Sequence, residues 1–354
     1  MIGPLTGPVL VIGTGLLGTS IGLACRRAGL EVLLSDPERS HVTTASGLGA
    51  GRPIGPTDAP QVVVVAVPPA HLGEVIATAL DSGAEVVTDV GSIKSGPLAH
   101  VSAHPRLAHY VGGHPMAGSE RSGPLAASAA LFDGRPWAIT PHAASQPEAV
   151  AVVEELATLC GAAPHVMDPD SHDRAVARTS HLPHLMAALT AGQLAQAPVE
   201  ELLLSGQGVR DVTRVAGGAP DLYAQIIGGN AIAVAALLRQ VRAELDGLID
   251  AVGRGDERRL IDLLATGVQG TRAIPGKHGG PAVQTVSVWV SVPDEPGSLR
   301  RLFDDVADLG VNIEDLRIDH DPGRETGLVE LFVAHSQSAG LVDGLESRGW
   351  LTHR

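Results

Sequence analysis

Four apolar residues, Val9 to Ile12, run directly into Gly13-Thr14-Gly15-Leu16-Leu17-Gly18, and a helical pattern follows to about Arg27, where Gly29 stops it. Few local sequences restrict a fold so strongly. A strand entering a tight glycine turn and then a helix opens a βαβ unit, and GxGxxG in that context marks a dinucleotide-binding turn. Gly13 permits the turn, Gly15 lets a pyrophosphate approach the backbone, and Gly18 lets the helix pack close to the sheet. The N–H groups of the first turn, at Leu16 and Leu17, then face the phosphates. Glu31 to Ser35 is the next strand. Asp36 at its end is placed to accept hydrogen bonds from both ribose hydroxyls and to repel a 2′-phosphate, which favours NAD over NADP. Arg39 works against that preference, and Asp36 also fits a plain turn before Pro37.

Further strands follow. Gln61 to Val67 is a continuous apolar run, as in a strand buried on both faces of a parallel sheet. It stops at Pro68-Pro69, and Val67 and Pro68 are counted with the cofactor-binding residues. Glu85–Asp89 and Trp137–Thr140 are strand-like, each ending in a turn. Residues 1–167 therefore read as a Rossmann-type, doubly wound α/β domain.

After Asp168 the apolar spacing becomes helical. Leu237, Val241, Leu245, Leu248 and Val252 follow the rhythm of one long helix, and residues 168–274 read as an all-helical domain of the kind that forms dimers. Ile274-Pro275-Gly276-Lys277-His278-Gly279-Gly280-Pro281 is a breaker-rich linker. Beyond it, Val286, Val288, Val290 and Val292 alternate with polar residues and Trp289 in a half-buried strand. A helix ending at Gly310, strands at Asn312–Asp319 and Leu328–Ala334 around the turn Pro322-Gly323-Arg324, a last helix and a short strand complete a βαββαβ order over residues 283–354.

Composition narrows the function classes. A formal net charge of −14 over 354 residues argues against a nucleic acid or a membrane surface as partner, because both require a basic footprint. No basic residue precedes Arg26, as a secretory signal would need. The charge-free stretch Thr179–Val199 contains two His, two Pro and two Gln and reads as core helix rather than membrane span. Cys25 and Cys160 are isolated, so neither a disulfide framework nor a zinc ribbon is expected. A cytoplasmic enzyme without a metal is the expectation.

The segment Gly112-Gly113-His114-Pro115-Met116-Ala117-Gly118-Ser119-Glu120 follows the loop Asp89-Val90-Gly91-Ser92-Ile93-Lys94. A His before Pro usually marks a turn. In this setting the segment resembles the catalytic-histidine segment of the prephenate/arogenate dehydrogenases of tyrosine biosynthesis. Ser180-His181-Leu182-Pro183-His184 matches that family's Ser-His-x-Pro-His segment, and Asp211-Val212-Thr213-Arg214 its Asp-x-Thr-Arg element. The resemblance covers nearly the whole chain, and the C-terminal order and loop resemble the ACT domain.

The resemblance implies oxidation of a cyclohexadienol by NAD with loss of CO2, which needs a neutral base and cations for carboxylates. His114 is the implied base, since imidazole titrates near working pH. Ser92 is implied to hydrogen-bond His114 and the substrate hydroxyl; capping the following helix is the competing role. His184 is implied to bind substrate, as is Arg214 through its planar fork; a surface salt bridge is the ordinary alternative for an Arg. Asp211 would orient Arg214. His172, in Asp170-Ser171-His172-Asp173, matches a position near the entrance, where it would gate the site with Glu120. His181 reads as a core or second-layer His, and a zinc pair with His184 lacks a convincing third ligand. Arg178 and Tyr223 depart from the family pattern, where a small or apolar residue and Trp are usual.

In the ACT-like module, Asp294, Gly297, Ser298 and Asn312 are the candidate ligand contacts. L-tyrosine is the implied regulatory ligand, with a ligand-free dimerisation module as the alternative. Arogenate is the alternative substrate. β-Hydroxyacid dehydrogenases use a Lys on a helix of the second domain, whereas this chain's two lysines are Lys94 and Lys277. A non-catalytic NAD or amino-acid sensor is the rival from another class.

Overall fold

The computed structural model describes residues 2–118, 121–274, 285–319 and 326–353. Glu120, the turn at 322–324 and positions 275–281 of the linker lie outside them. The chain packs as two compact units, Met1–Gly247 and Leu248–Arg354.

The first unit is built on eight strands: β1 (Val9–Ile12), β2 (Val32–Ser35), β3 (Arg52–Pro53), β4 (Val62–Val65), β5 (Val86–Asp89), β6 (Tyr110–Pro115), β7 (Pro136–Thr140) and β8 (Ala163–Val166). They lie in the order β3-β2-β1-β4-β5-β6-β7-β8. The pairs from β3 through β6 are parallel, β7 runs antiparallel to β6, and β8 is parallel to β7. The chain winds outward from β1 in one direction and returns to start the other at β4, so the β1–β4 boundary is the switch point where such sheets bind ligands.

Alternation explains why the sheet is covered on both faces. Val9, Val11, Val62 and Val64 belong to one core with Ile21, Trp137 and Leu156, whereas Leu10, Val63 and Val65 belong to another with Leu72, Ile76 and Leu80. All four residues of β4 are buried, each Val contributing about 1.5–3 kcal/mol relative to exposure.

Helices dominate from Pro169 on. Asp168 caps the helix Pro169–Val176 by accepting from Ser171 N at 2.8 Å. A π-turn, Ala177–His181, joins it to Leu182–Leu194. Pro183 accounts for this widening: it has no N–H for the carbonyl of Thr179 and its ring crowds that carbonyl, so the i→i+4 ladder must open. Gln207–Arg214 and Pro220–Gly229 follow, and the expected long helix spans Ala231–Arg254. Among the described residues no single helix is long and apolar enough to cross a membrane.

In the second unit, β9 (Thr285–Pro293), β10 (Ile313–Asp319), β11 (Thr326–Ala334) and β12 (Leu351–His353) form an antiparallel sheet ordered β10-β11-β9-β12. Val288, Val290 and Val292 turn inward against Leu302 and Val306 of the helix Ser298–Asp308 and Leu341 and Leu345 of the helix His335–Ser347. The βαββαβ order is as expected.

Candidate active site

The glycine turn is shaped by contacts that only glycine allows. Gly13 has φ +96°, and a Cβ there would sit 2.3 Å from the Ala66 carbonyl oxygen. That contact sets the loops after β1 and β4 side by side and brings Val67 and Pro68 next to the turn. A Cβ on Gly18 would lie 1.9 Å from the Gly13 carbonyl oxygen, which is the close approach expected between helix and strand. No atom lies within 4 Å of the corresponding point on Gly15. Gly15 begins the helix Leu16–Arg27 without a side-chain cap among the described residues, so the first-turn N–H groups of Leu16 and Leu17 are suited to an anion.

Asp36 is oriented by the turn itself. Its Oδ2 accepts from Thr14 N at 2.6 Å and Thr14 Oγ1 at 3.1 Å, and its Oδ1 from Glu38 N at 2.8 Å. Three of its roughly four acceptor positions are thus filled, which leaves one for a ribose hydroxyl, and displacing Thr14 Oγ1, the longest contact, opens a second for a diol. A pyrophosphate on the turn and an adenosine ribose on Asp36 are what these residues fit.

His114 lies within β6, not in a turn. Parallel pairing from β1 to β6 puts Gly13 and His114 at the same, carboxyl-terminal edge of the sheet. The two glycines before it are required there: a Cβ on Gly112 would meet Thr140 Oγ1 at 2.5 Å, and one on Gly113 the Asp89 carbonyl oxygen at 2.8 Å. Behind the strand, Lys94 Nζ donates to the Gly113 carbonyl at 2.7 Å and pairs with Asp89, which also accepts from Tyr110 Oη at 2.7 Å. Burial pulls the Lys94 ammonium below its usual value against the opposing pull of Asp89. Burial and Asp89 push the Tyr110 phenol well up, so it remains a donor.

The His114 ring is part-buried. Burial, and then the neighbouring His172, Lys94 and His181, hold it well below the ordinary imidazole value. Its Nδ1 lies 2.8 Å from His172 Nε2, and the two rings meet edge to face. Ser92 makes no described hydrogen bond to His114, whose Nδ1 faces His172. Nor does Ser92 cap the following helix, which starts at Ser95 with the Asp173 carboxylate accepting from Lys94 N and Ser95 N at 2.9 Å each. His172 is fully buried and therefore lies behind His114 rather than at an entrance. With Glu120 outside the described residues, the expected gate has one member placed elsewhere.

His172 Nδ1 is 2.8 Å from Asp173 Oδ1. Asp173 ties the helical segment to the sheet, and its carbonyl accepts from Asn230 Nδ2 at 2.7 Å. Asn230 Nδ2 also lies 3.3 Å from Nδ1 of buried His181, which fits the second-layer reading of that residue.

His184, one residue past Pro183, stacks flat on Tyr223 at 3.4 Å between centroids. A Cβ on Gly218 would meet Tyr223 Cε2 at 2.5 Å, so the glycine makes room for the stack. Buried His184 Nδ1 has no hydrogen-bond partner among the described residues. Burial lowers the ring's pKa against a hydrogen bond to the Val215 backbone. Arg214 closes the helix Gln207–Arg214, which packs on the helix bearing His184. Asp211 accepts from Gln207 Nε2, one turn back on the same helix, at 2.9 Å. Arg178, on the π-turn, lines a cleft of 1040 Å³ with Ser95, Asp173, Arg174 and Asn230 that reaches neither His114 nor His184.

In the second unit, Gly297 takes φ +95° at the start of the helix Ser298–Asp308. Asn312 Nδ2 donates to Glu314 Oε1 at 2.8 Å.

Residues 21–166 match the family described as prephenate dehydrogenase, nucleotide-binding domain, and residues 168–266 the family described as prephenate dehydrogenase, dimerization domain. A probable prephenate dehydrogenase of Streptomyces niveus, NovF, is 35% identical over 96% of this chain and 98% of its own length. The prephenate dehydrogenase of Bacillus subtilis is 28% identical over 88% of this chain and 87% of its own. Among solved structures, the prephenate dehydrogenase from A. aeolicus in complex with hydroxyphenyl propionate and NAD+ superposes with TM-score 0.67 at 26% identity, over 75% of this chain and 96% of that one. Synechocystis arogenate dehydrogenase does so with TM-score 0.62 at 26% identity, over 75% and 98%.

Proposed function

The chain belongs to the prephenate dehydrogenase family, and from that premise we propose that it catalyses the NAD-dependent oxidative decarboxylation of prephenate to 4-hydroxyphenylpyruvate. The observation that carries the reading is His114: an imidazole kept unprotonated by burial, at the same sheet edge as the dinucleotide turn.

Gly13, Gly15, Leu16, Leu17, Gly18, Asp36, Val67 and Pro68 would hold the cofactor. NAD, when bound, accepts the hydride from the hydroxyl-bearing carbon. His114 takes the hydroxyl proton as the C–O bond gains carbonyl character; the bonding pair of the departing CO2 then flows into the ring, which aromatises to a phenolate that takes the proton back. Arg214 binds a substrate carboxylate, and the His184 imidazole meets a polar group of the substrate. Glu120, Asp211 and Ser92 act around them, Ser92 through the substrate hydroxyl.

The test is reduction of NAD on addition of prephenate, run beside L-arogenate. Turnover of prephenate at the higher kcat/KM supports the assignment. Preference for arogenate would reassign the substrate, and inertness toward both would leave a non-catalytic sensor.

A homodimer is part of the same reading. The helix Ala231–Arg254 leaves Ile232 91% and Leu245 52% exposed, apolar surface that a second copy would cover. Light scattering at twice the chain mass of 36.3 kDa is the expected result. We assign 1–167 to cofactor binding, 168–274 to substrate binding and dimerisation, and 283–354 to an ACT-like module for L-tyrosine.

A further inference from the structure

We propose that His172 and Asp173 are positioning residues for His114: a fixed Asp173–His172–His114 chain selects which nitrogen of His114 takes the substrate proton. The proposal rests on the dehydrogenase reading above and deepens it.

The geometry defines the direction of every hydrogen bond in the chain. Asp173 accepts from two backbone N–H groups, those of Lys94 and Ser95, at 2.9 Å each, an arrangement that suits only a carboxylate. Burial opposes its ionisation most, but the hydrogen bonds from His172, Ser95 and Lys94 outweigh it and keep the carboxyl below its usual range. His172 Nδ1 must therefore donate to Asp173 Oδ1 across 2.8 Å. A neutral imidazole with a proton on Nδ1 has its lone pair on Nε2. His172 Nε2 consequently accepts, and His114 Nδ1 donates to it across 2.8 Å. The remaining lone pair of His114 is on Nε2, the nitrogen that then takes the hydroxyl proton.

The same chain supplies the charge that proton transfer requires. Once His114 is an imidazolium, the titratable groups facing it are His172, Lys94 and His181, with Asp89 paired to Lys94 and Asp173 to His172 behind them. Lys94 is matched by Asp89, and a neutral imidazole supplies no negative charge. Asp173 is the carboxylate left to balance the new charge, acting through His172 without itself becoming protonated. This is the triad logic of a base oriented by a third group, here with one imidazole interposed.

A purely packing role does not require this order of atoms. His172 is 0% exposed, and its two ring nitrogens are both spent within the chain. A buried apolar side chain would fill the same volume without the cost of desolvating an imidazole.

The experiment is 15N NMR of the imidazoles in the full-length wild-type enzyme, joined to steady-state kinetics of His172→Leu and His172→Gln with prephenate and NAD. The expected tautomer of His114 carries its proton on Nδ1. His172→Leu removes the acceptor and should lower kcat on the order of 100-fold with little change in either KM. His172→Gln retains an acceptor oxygen and should recover part of that loss. A His114 protonated on Nε2 in the wild type would overturn the proposal even where a variant does not fold. So would a His172→Leu kcat within about threefold of wild type, or equal losses in both variants. Wild-type enzyme inert toward prephenate would refute the functional reading instead, while the tautomer still decides the chain.

Discussion

Lys94, a lysine with 1% of its surface exposed, donates to the main-chain carbonyl of Gly113 at 2.7 Å. It thereby holds the backbone of β6 one residue before His114. The same ammonium neutralises Asp89, whose Oδ1 also accepts from Gly91 N at 2.8 Å. Removing one member of such a pair leaves an uncompensated charge in the core. Lys94→Met should cost about 3–5 kcal/mol in urea unfolding. The double variant Lys94→Met/Asp89→Asn should lose less than the single one. A single-variant loss under about 1 kcal/mol would show that the pair is not what anchors the strand.

His114→Asn keeps a polar side chain of similar reach but removes the proton acceptor. It should lower kcat on the order of 100-fold or more with substrate binding retained. The pH profile carries the sign of the pKa shift. The base works unprotonated, and burial with the neighbouring His172, Lys94 and His181 lowers its pKa. The plateau of kcat/KM should therefore extend below the ordinary imidazole value of about 6.5, and activity should fall only in more acidic solution. An acid limb centred at or above that value would contradict the burial argument.

Much of this was legible in the chain, and what was not has a physical reason. The strands at β1, β2, β4, β5 and β9 announce themselves as apolar runs or alternations, and the glycine turn lies where its spacing places it. β6 did not, because Gly112, Gly113 and Pro115 are residues that strands usually avoid; they are tolerated because Thr140 and the Asp89 carbonyl leave no room for a Cβ. β8 is an exposed edge strand carrying Pro164, with no apolar signal to read. The family motifs named His114 and His172 but not their contact, which joins positions 58 apart. Asp173 and Lys94 carried one usable signal: charged residues embedded in apolar or motif-rich segments must find partners if they are buried. Which partners they find is a matter of tertiary packing.

Arg214→Ala should act mainly on KM. A carboxylate–guanidinium contact holds the substrate in the ground state as well as in the transition state, so its loss weakens binding without selectively slowing chemistry. An increase on the order of 10-fold or more in the KM for prephenate, with kcat reduced far less, is the expected result. A variant whose kcat falls while KM stays fixed would move Arg214 from binding to transition-state stabilisation.

Asp36 is held by Thr14 and Glu38, with its carboxylate beside the turn. NAD should therefore have the higher kcat/KM, and Asp36→Ala should narrow or invert its ratio to NADP. Circular dichroism should show an unchanged fold, since the side chain is replaced at a loop. Equal use of both cofactors by the wild type would remove the ribose-reading role.

The C-terminal module yields the last expectation. Gly297 adopts φ +95° where the helix Ser298–Asp308 begins, a conformation that side-chain-bearing residues rarely adopt. If L-tyrosine regulates the enzyme through Asp294, Gly297, Ser298 and Asn312, the full-length protein should be inhibited by it, and Gly297→Val should blunt inhibition by distorting the loop. The uninhibited rate should change little, because no proposed catalytic residue lies in this module. A truncation ending at Gly280 should likewise lose the inhibition. Inhibition that is the same in all three proteins would place tyrosine at the active site as a product analogue. Absence of both inhibition and binding in the full-length protein would leave the β9–β12 sheet a structural module alone.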